Sequence, residues 1–178
     1  NNVNHEVIVV DDGSDDNSKE IINAYGDRII KVFQNNEGHI SATNSGYNES
    51  TGDLITFLDA DDYLFKDMCK RTSALFNDKV AKVHYKLMKI DNNGEFLSPT
   101  PSDKVSLSEG EDACNFIFDG TFITSLGNIY NKNLVSSLFP LPEIQTSNNK
   151  DYLNTIPPDS YLSIRVPFLG TVKAINDS

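Results

Sequence analysis

Residues 54–62 read Leu54-Ile55-Thr56-Phe57-Leu58-Asp59-Ala60-Asp61-Asp62, an apolar run that breaks off into three carboxylates. A run with so few polar side chains fits a strand covered on both faces, as in a parallel sheet. Carboxylates set directly after such a strand repel one another and partly protonate unless a cation or hydrogen-bond donors compensate them. Oxygen-only ligands favour Mg2+, Mn2+ or Ca2+ over zinc, and a site with few protein ligands leaves positions for the phosphate oxygens of a ligand.

Toward the N-terminus the same arrangement recurs. Glu6 to Val10 is a β-rich run that breaks into Asp11-Asp12-Gly13-Ser14, with Asp15 and Asp16 following. Asn17 with Glu20 forms a capping pair ahead of Ile21, Ile22, Ala24 and Tyr25, and Gly26 stops that helix. Arg28 to Phe33 predicts a second strand, Asn35-Asn36-Glu37-Gly38 a loop, and His39 to Ser50 a helix of small residues. Strands alternating with helices predict an α/β sheet, whose ligands sit beyond the carboxyl ends of the strands. Parallel neighbours would bring both aspartate sets to one edge. Taken alone, Asp11 to Asp16 also suits a solvated turn, with Asp15 and Asp16 favouring the helix that follows. The two sets together point to a site.

Beyond the second acidic set, Met68, Thr72, Leu75 and Phe76 fall at helical spacing. Val80 to Ile90, the turn Asp91-Asn92-Asn93-Gly94 and Glu95-Phe96-Leu97 predict a hairpin, and Ser98 to Asp103, with its two prolines, a loop. Ser108 with Glu111 is a capping box for a helix reaching Asp119-Gly120. A strand within Thr121 to Tyr130, a short helix over Asn133 to Phe139, a loop from Pro140 to Pro158, a helix over Asp159 to Phe168 and a last strand over Thr171 to Ile175 complete the order.

The chain has 178 residues, the size of one domain, with 38% hydrophobic and 23% charged residues. It holds no apolar run long enough to cross a bilayer, and Asn1 to His5 lack the pattern of a signal peptide. The net charge of −11, with no basic stripe, repels a phosphate backbone and argues against nucleic-acid binding. A phosphorylated ligand would have to be held through a cation. Cys69 and Cys114 lie in helix-like apolar patterns and read as buried thiols in a reducing compartment. His5, His39 and His84 lack a metal-ligand spacing, and Phe116, Phe118, Phe122 and Tyr130 read as core rather than as a sugar-stacking platform.

Three stretches in this order resemble the family 2 glycosyltransferases. They are Val7 through Asp16, then Asn36-Glu37-Gly38 running into Ala42-Thr43-Asn44-Ser45-Gly46, and Gly52 through Asp62. Joint matching is far more specific than a lone D-x-D. The resemblance implies a GT-A (Rossmann-like) α/β fold, a three-layer sandwich with a mostly parallel central sheet. It implies one domain over 1–178, with a nucleotide-sugar-binding half at 1–97 and an acceptor-side half at 98–178. Asp12 would accept a hydrogen bond from the base, Asp59 would contact the ribose, and Gly38 and Asn44 would shape the pocket, with Ala60 in the same nucleotide-sugar set. Asp61, helped by Asp62, would hold Mn2+ or Mg2+ at the diphosphate. Thr43 departs from the arginine the family often carries there.

The family's base is an acidic residue at a helix start in the second half. Asp159 in Pro157-Pro158-Asp159-Ser160 fits by position, Asp151 in Lys150-Asp151-Tyr152 is the alternative, and a helix-capping role for Asp159 stays open. The implied reaction moves a sugar, with inversion, from a UDP-, GDP- or dTDP-linked donor to a hydroxyl of a glycan or lipid-linked acceptor. The expected setting is cytoplasmic, extending to the inner face of a membrane. Only six residues precede Val7 where such chains usually have a strand and helix, so an N-terminally shortened chain is expected. The competing readings are a noncatalytic nucleotide-sugar-binding fragment and a phosphatase using Asp59 as nucleophile and Asp61 as acid. The phosphatase leaves Asp11 to Ser14 and Gly38 to Gly46 without a role. An EF-hand is excluded because Asp16, not glycine, stands sixth from Asp11.

Overall fold

The computed structural model describes residues 3–100, 110, 127–143 and 157–175. The β-branched run Ile8-Val9-Val10 forms β1 (Ile8–Asp12), which pairs in parallel with β2 (Ile30–Gln34), Ile8 opposite Ile30 and Asp12 opposite Gln34. Between them lie α1 (Ser18–Ala24) and a 3-10 turn at Gly26–Arg28. Gly26, at φ +62° directly after the C-cap Tyr25, ends α1 as expected, and the 3-10 turn starts from it. Asn17 makes no side-chain capping bond, because Asp16 Oδ1 takes the N–H of Ser18 at 2.9 Å instead.

A second sheet has the order β3-β7-β4-β8, built from β3 (Leu54–Thr56), β4 (Val80–Tyr85), β7 (Asn128–Asn131) and β8 (Thr171–Ile175). β7 runs antiparallel to both its neighbours, and β4 and β8 are parallel. The expected parallel character is therefore only partly present. β1 and β3 are not paired with each other. Their starts are tied instead by Glu6, whose Oε1 accepts the N–H groups of Thr51 at 2.7 Å and Gly52 at 2.8 Å.

The strand covered on both faces is β4, every residue of which is buried, whereas β3 stops at Thr56 and Leu58 is 47% exposed. Two apolar clusters flank the sheet. Neighbouring residues of a strand point to opposite faces, and adjacent Ile129 and Tyr130 of β7 accordingly join different clusters. Ile129 packs with Met68 of α3 (Met68–Ser73). Tyr130 packs with Ile40 of α2 (His39–Glu49), Val135 of α4 (Lys132–Val135), and Leu162 of α5 (Pro158–Arg165). Helices on both faces of a sheet make the three-layer α/β sandwich.

The hairpin forms between β5 (Leu87–Ile90) and β6 (Phe96–Thr100), with Asp91 Oδ1 taking the N–H of Asn93 at 2.8 Å and of Glu95 at 2.9 Å. Its first arm is shorter than expected, because Val80 to Tyr85 belongs to the central sheet. The predicted loop at Ser98 is in fact the end of β6, which tolerates Pro99 because a two-stranded ribbon leaves an edge that needs no donor. β8 has the predicted bounds, and α4 continues into a 3-10 turn at Ser136–Leu138. The capping box at Ser108 and Glu111, Cys114, Phe116, Phe118 and Phe122 lie outside the described residues. Among the described residues, no helix is long and apolar enough to cross a membrane.

Candidate active site

The loop after β1 is braced by its own aspartates. Asp11 is 4% exposed, its Oδ1 accepts the N–H of Ser14 at 3.1 Å, and its Oδ2 lies 3.8 Å from Lys19 Nζ. Gly13 has φ +80°, and a Cβ there would fall 2.6 Å from the backbone nitrogen of Asn36. Only glycine permits that conformation and that approach. The two loops that follow β1 and β2 are thereby held against each other.

Asp12 completes the contact. Its Oδ1 accepts from Gln34 Nε2 at 2.8 Å and Glu37 N–H at 2.9 Å, and its Oδ2 from Gly38 N–H at 2.8 Å. Desolvation works against the charge, but these donors outweigh it and hold the carboxyl below the usual range. Gly38, at φ +89°, turns the chain into α2. Gln34 also receives Ser45 Oγ at 2.7 Å, fixing β2 to the helix. Thr43 bonds its own helix through the carbonyl of His39 at 2.8 Å. Asn44 forms a reciprocal pair with the Leu141 peptide, donating to its carbonyl at 3.0 Å and accepting its N–H at 2.7 Å.

Asp59, Ala60, Asp61 and Asp62 form an exposed turn, closed by the N–H of Asp62 on the carbonyl of Asp59 at 3.1 Å. Desolvation raises the Asp62 carboxyl, and the charges of Asp59 and Asp61 raise it further. Like-charge crowding of this kind fits a divalent cation. Among the described residues no three His, Cys, Asp or Glu side chains converge on one point. A cation at Asp61 and Asp62 would therefore be completed by oxygens from a ligand, which is the chemistry of a phosphate-bridging metal.

Asp159 stands in the first turn of α5. Pro157 is the N-cap, so Asp159 does not occupy the capping position, although its Oδ1 accepts the N–H of Ser160 within that turn. Asp59 and Asp159 both line one cleft of about 380 Å3, counting its open mouth. His39, Thr43, Phe57, Asn128 and Tyr130 complete most of its wall. Asp61, Asp62, Asp12, Gly38, Asn44 and Ala60 do not line it. Asp12 is joined to it through Gly38, whose N–H it accepts and which directly precedes the lining residue His39. Asp151 lies outside the described residues.

His39, Phe57, Asn128 and Tyr130 gave no sequence signal of a role in a site. Asn128 and Tyr130 reach the cleft because β3 pairs with a strand more than seventy residues on, as Thr56 Oγ1 shows by donating to the Asn128 carbonyl at 2.9 Å across a separation of 72 residues. Tyr130 is core by burial, at 2% exposure, yet also forms cleft wall.

The sequence profile described as glycosyl transferase family 2 matches residues 1–139. An uncharacterised glycosyltransferase of Nostoc sp. is 28% identical over 183 aligned residues, spanning 97% of this chain and 53% of that protein. An undecaprenyl-phosphate 4-deoxy-4-formamido-L-arabinose transferase of Yersinia enterocolitica is 48% identical over 62 residues, 32% of this chain and 19% of that protein. The crystal structure of S. aureus TarS residues 1–349 superposes with a TM-score of 0.66 at 21% identity, covering 97% of this chain and 49% of that one. The same TarS fragment is known in complex with UDP and with UDP-GlcNAc. The chain thus spans about half the length, or less, of the relatives it matches. With the profile covering the β1 loop, α2 and the acidic turn alike, the chain belongs to glycosyl transferase family 2.

Proposed function

We propose that this chain is the donor-binding and catalytic part of an inverting glycosyltransferase, moving a sugar from a nucleoside-diphosphate sugar to an acceptor hydroxyl. The observation that carries this reading is the one cleft lined by both Asp59 and Asp159. Asp59 follows β3 in the acidic turn, where a donor's ribose and diphosphate would lie. Asp159 comes from α5 and lines the same cleft, where in this reading it meets the acceptor. TarS, which shares the fold, has been captured with UDP and UDP-GlcNAc, and that supports a uridine donor as the first to test.

In this reading Asp159 removes the proton from the acceptor hydroxyl as its oxygen attacks the anomeric carbon opposite the departing diphosphate. The carboxylate ends protonated, the glycosidic bond forms with inversion, and the bond to the diphosphate breaks. Asp61 and Asp62 would hold Mn2+ or Mg2+, which when bound neutralises charge on the leaving diphosphate. Asp12, Gly38 and Asn44 act by shaping the pocket: Asp12 orients the loop that opens α2, and Asn44 fixes that helix to the backbone at Leu141. The relatives that act on undecaprenyl phosphate support a lipid-linked or cell-surface glycan as acceptor, and a site of action at the cytoplasmic face of a membrane.

Calorimetric titration decides the donor half of this proposal. With Mn2+ present, UDP or UDP-GlcNAc is expected to bind, and Asp61→Ala to abolish the metal-dependent part of that binding. No binding of UDP, GDP or a dTDP-sugar would overturn it. Binding without turnover in the full-length protein would favour a noncatalytic nucleotide-sugar module.

A further inference from the structure

The cleft is lined unevenly in charge. Asp59 and Asp159 are its carboxylates, Thr43 and Asn128 are neutral, and among the described residues of the lining only His39 can carry positive charge. A nucleoside diphosphate entering this cleft brings negative charge toward those carboxylates, whose like charge opposes it. A divalent cation at Asp61 and Asp62 offsets part of that repulsion, but neither of these aspartates lines the cleft. A cationic group in the wall itself would act on the ligand directly.

The chain fixes the backbone of His39 from both directions. Gly38 before it, at φ +89°, gives its N–H to Asp12 Oδ2 at 2.8 Å, and the carbonyl of His39 accepts Thr43 Oγ1 at 2.8 Å. The ring is exposed and belongs to neither apolar cluster, and no hydrogen bond holds it among the described residues. An anchored backbone with an uncommitted ring at a cleft is the arrangement of a ligand contact rather than of a packing residue. The other titratable groups about it are Asp12 across Gly38, Glu37 on its own loop, Asp59 after β3, Asp159 on α5 and the Tyr130 phenol of β7.

We infer that His39, when protonated, holds the diphosphate of the donor, so that donor affinity follows the charge of this ring. The inference rests on the reading of the cleft as the donor site, with the diphosphate beside Asp59. The imidazolium donates a ring N–H to a phosphate oxygen in a charge-assisted bond. As pH rises through the histidine range the ring keeps one N–H but loses its charge, and the contact weakens. Affinity is therefore tighter on the acid side of neutrality. A nearby carboxylate ionising in the same range would act with the same sign, so variants of His39 are needed beside the pH profile.

The test is calorimetric titration of the full-length protein with UDP-GlcNAc and Mn2+ at about pH 6 and about pH 8, either side of the histidine range. UDP-GlcNAc is the probe because its phosphates have no second proton to lose there, whereas UDP has one. Affinity is expected to fall about threefold to tenfold between the two, the scale of a hydrogen bond to a charged group discounted for an exposed ring. His39→Gln should show the weaker value at both pH values, and His39→Lys the tighter one at both. Uridine, which lacks the diphosphate, should bind His39→Gln as well as the unmodified protein, by competition against UDP-GlcNAc. Melting midpoints should agree among the proteins, since the ring is exposed. The role at the diphosphate is overturned, and the donor site left standing, by any of three results: equal UDP-GlcNAc affinity in His39→Gln and the unmodified protein at about pH 6, a pH dependence that survives in His39→Gln, or a loss for uridine as large as for UDP-GlcNAc. If the unmodified protein binds no UDP-GlcNAc at either pH, the donor reading itself fails.

Discussion

Asp12, before a glycine turn, and Asn44, inside α2, both belong to the matched motifs, and in the structure each holds backbone. Asp12 gathers the N–H groups of Glu37 and Gly38, and Asn44 meets both polar atoms of the Leu141 peptide. Asn44→Ala leaves a donor and an acceptor of Leu141 unmet in a partly buried setting, and the expected loss is about 2 kcal/mol. Urea denaturation followed by circular dichroism checks this, and a change below about 0.5 kcal/mol would mean water satisfies the peptide. That these residues matter was legible from their place in the motif. Which atoms they bond was not, because Leu141 lies 97 residues from Asn44 and nothing local marks it as a partner. For Asp59 and Asp159 the residue types were legible and their sharing one cleft was not.

β4 shows how an element departs from its own pattern. Val80-Ala81-Lys82-Val83-His84-Tyr85 alternates as a half-exposed strand would, yet all six residues are buried, Lys82 at 1% and His84 at 0% exposure. Burial lowers the Lys82 ammonium to about 8, and no carboxylate pairs with it among the described residues. Its folded value thus lies below its unfolded one, so the folded chain holds fewer protons between about pH 8 and 10.5. Stability from this group rises with pH across that window and is at its lowest below it. Tyr85 has the opposite sign, since burial pushes its phenol up to about 12 and stability falls as pH rises from about 10 toward that value. Lys82→Met should therefore raise stability at pH 7, on the order of 1–3 kcal/mol, and flatten the rise above pH 8. Melting midpoints at pH 7 and pH 9.5 read both effects, and an equal rise at the two pH values would assign the gain to packing alone.

At the scale of the whole molecule the net charge of −11 opposes compaction. Raising ionic strength from about 0.01 to 0.15 M shortens the screening length from about 30 to 8 Å and should raise the melting midpoint by a few degrees. Mn2+ should raise it further than Mg2+-free sodium salt of equal ionic strength, because a cation bound only by the folded state adds stability by mass action. Asp61→Ala should erase that excess, and an excess that survives would place the cation elsewhere. The sequence by itself determined what is local: the strands and helices from their apolar periods, the hairpin from Asp91 to Gly94, the acidic turns at strand exits, and the family through three motifs in order. The tertiary structure alone decided that β3 pairs with β7 rather than β1, that β4 is the covered strand, and that Asp59, Asp159 and Tyr130 share one cleft. Periodicity records which face of an element is apolar, a property of neighbours in sequence. Sheet order and cleft walls arise from contacts across scores of residues, which leave no repeating trace in any one segment.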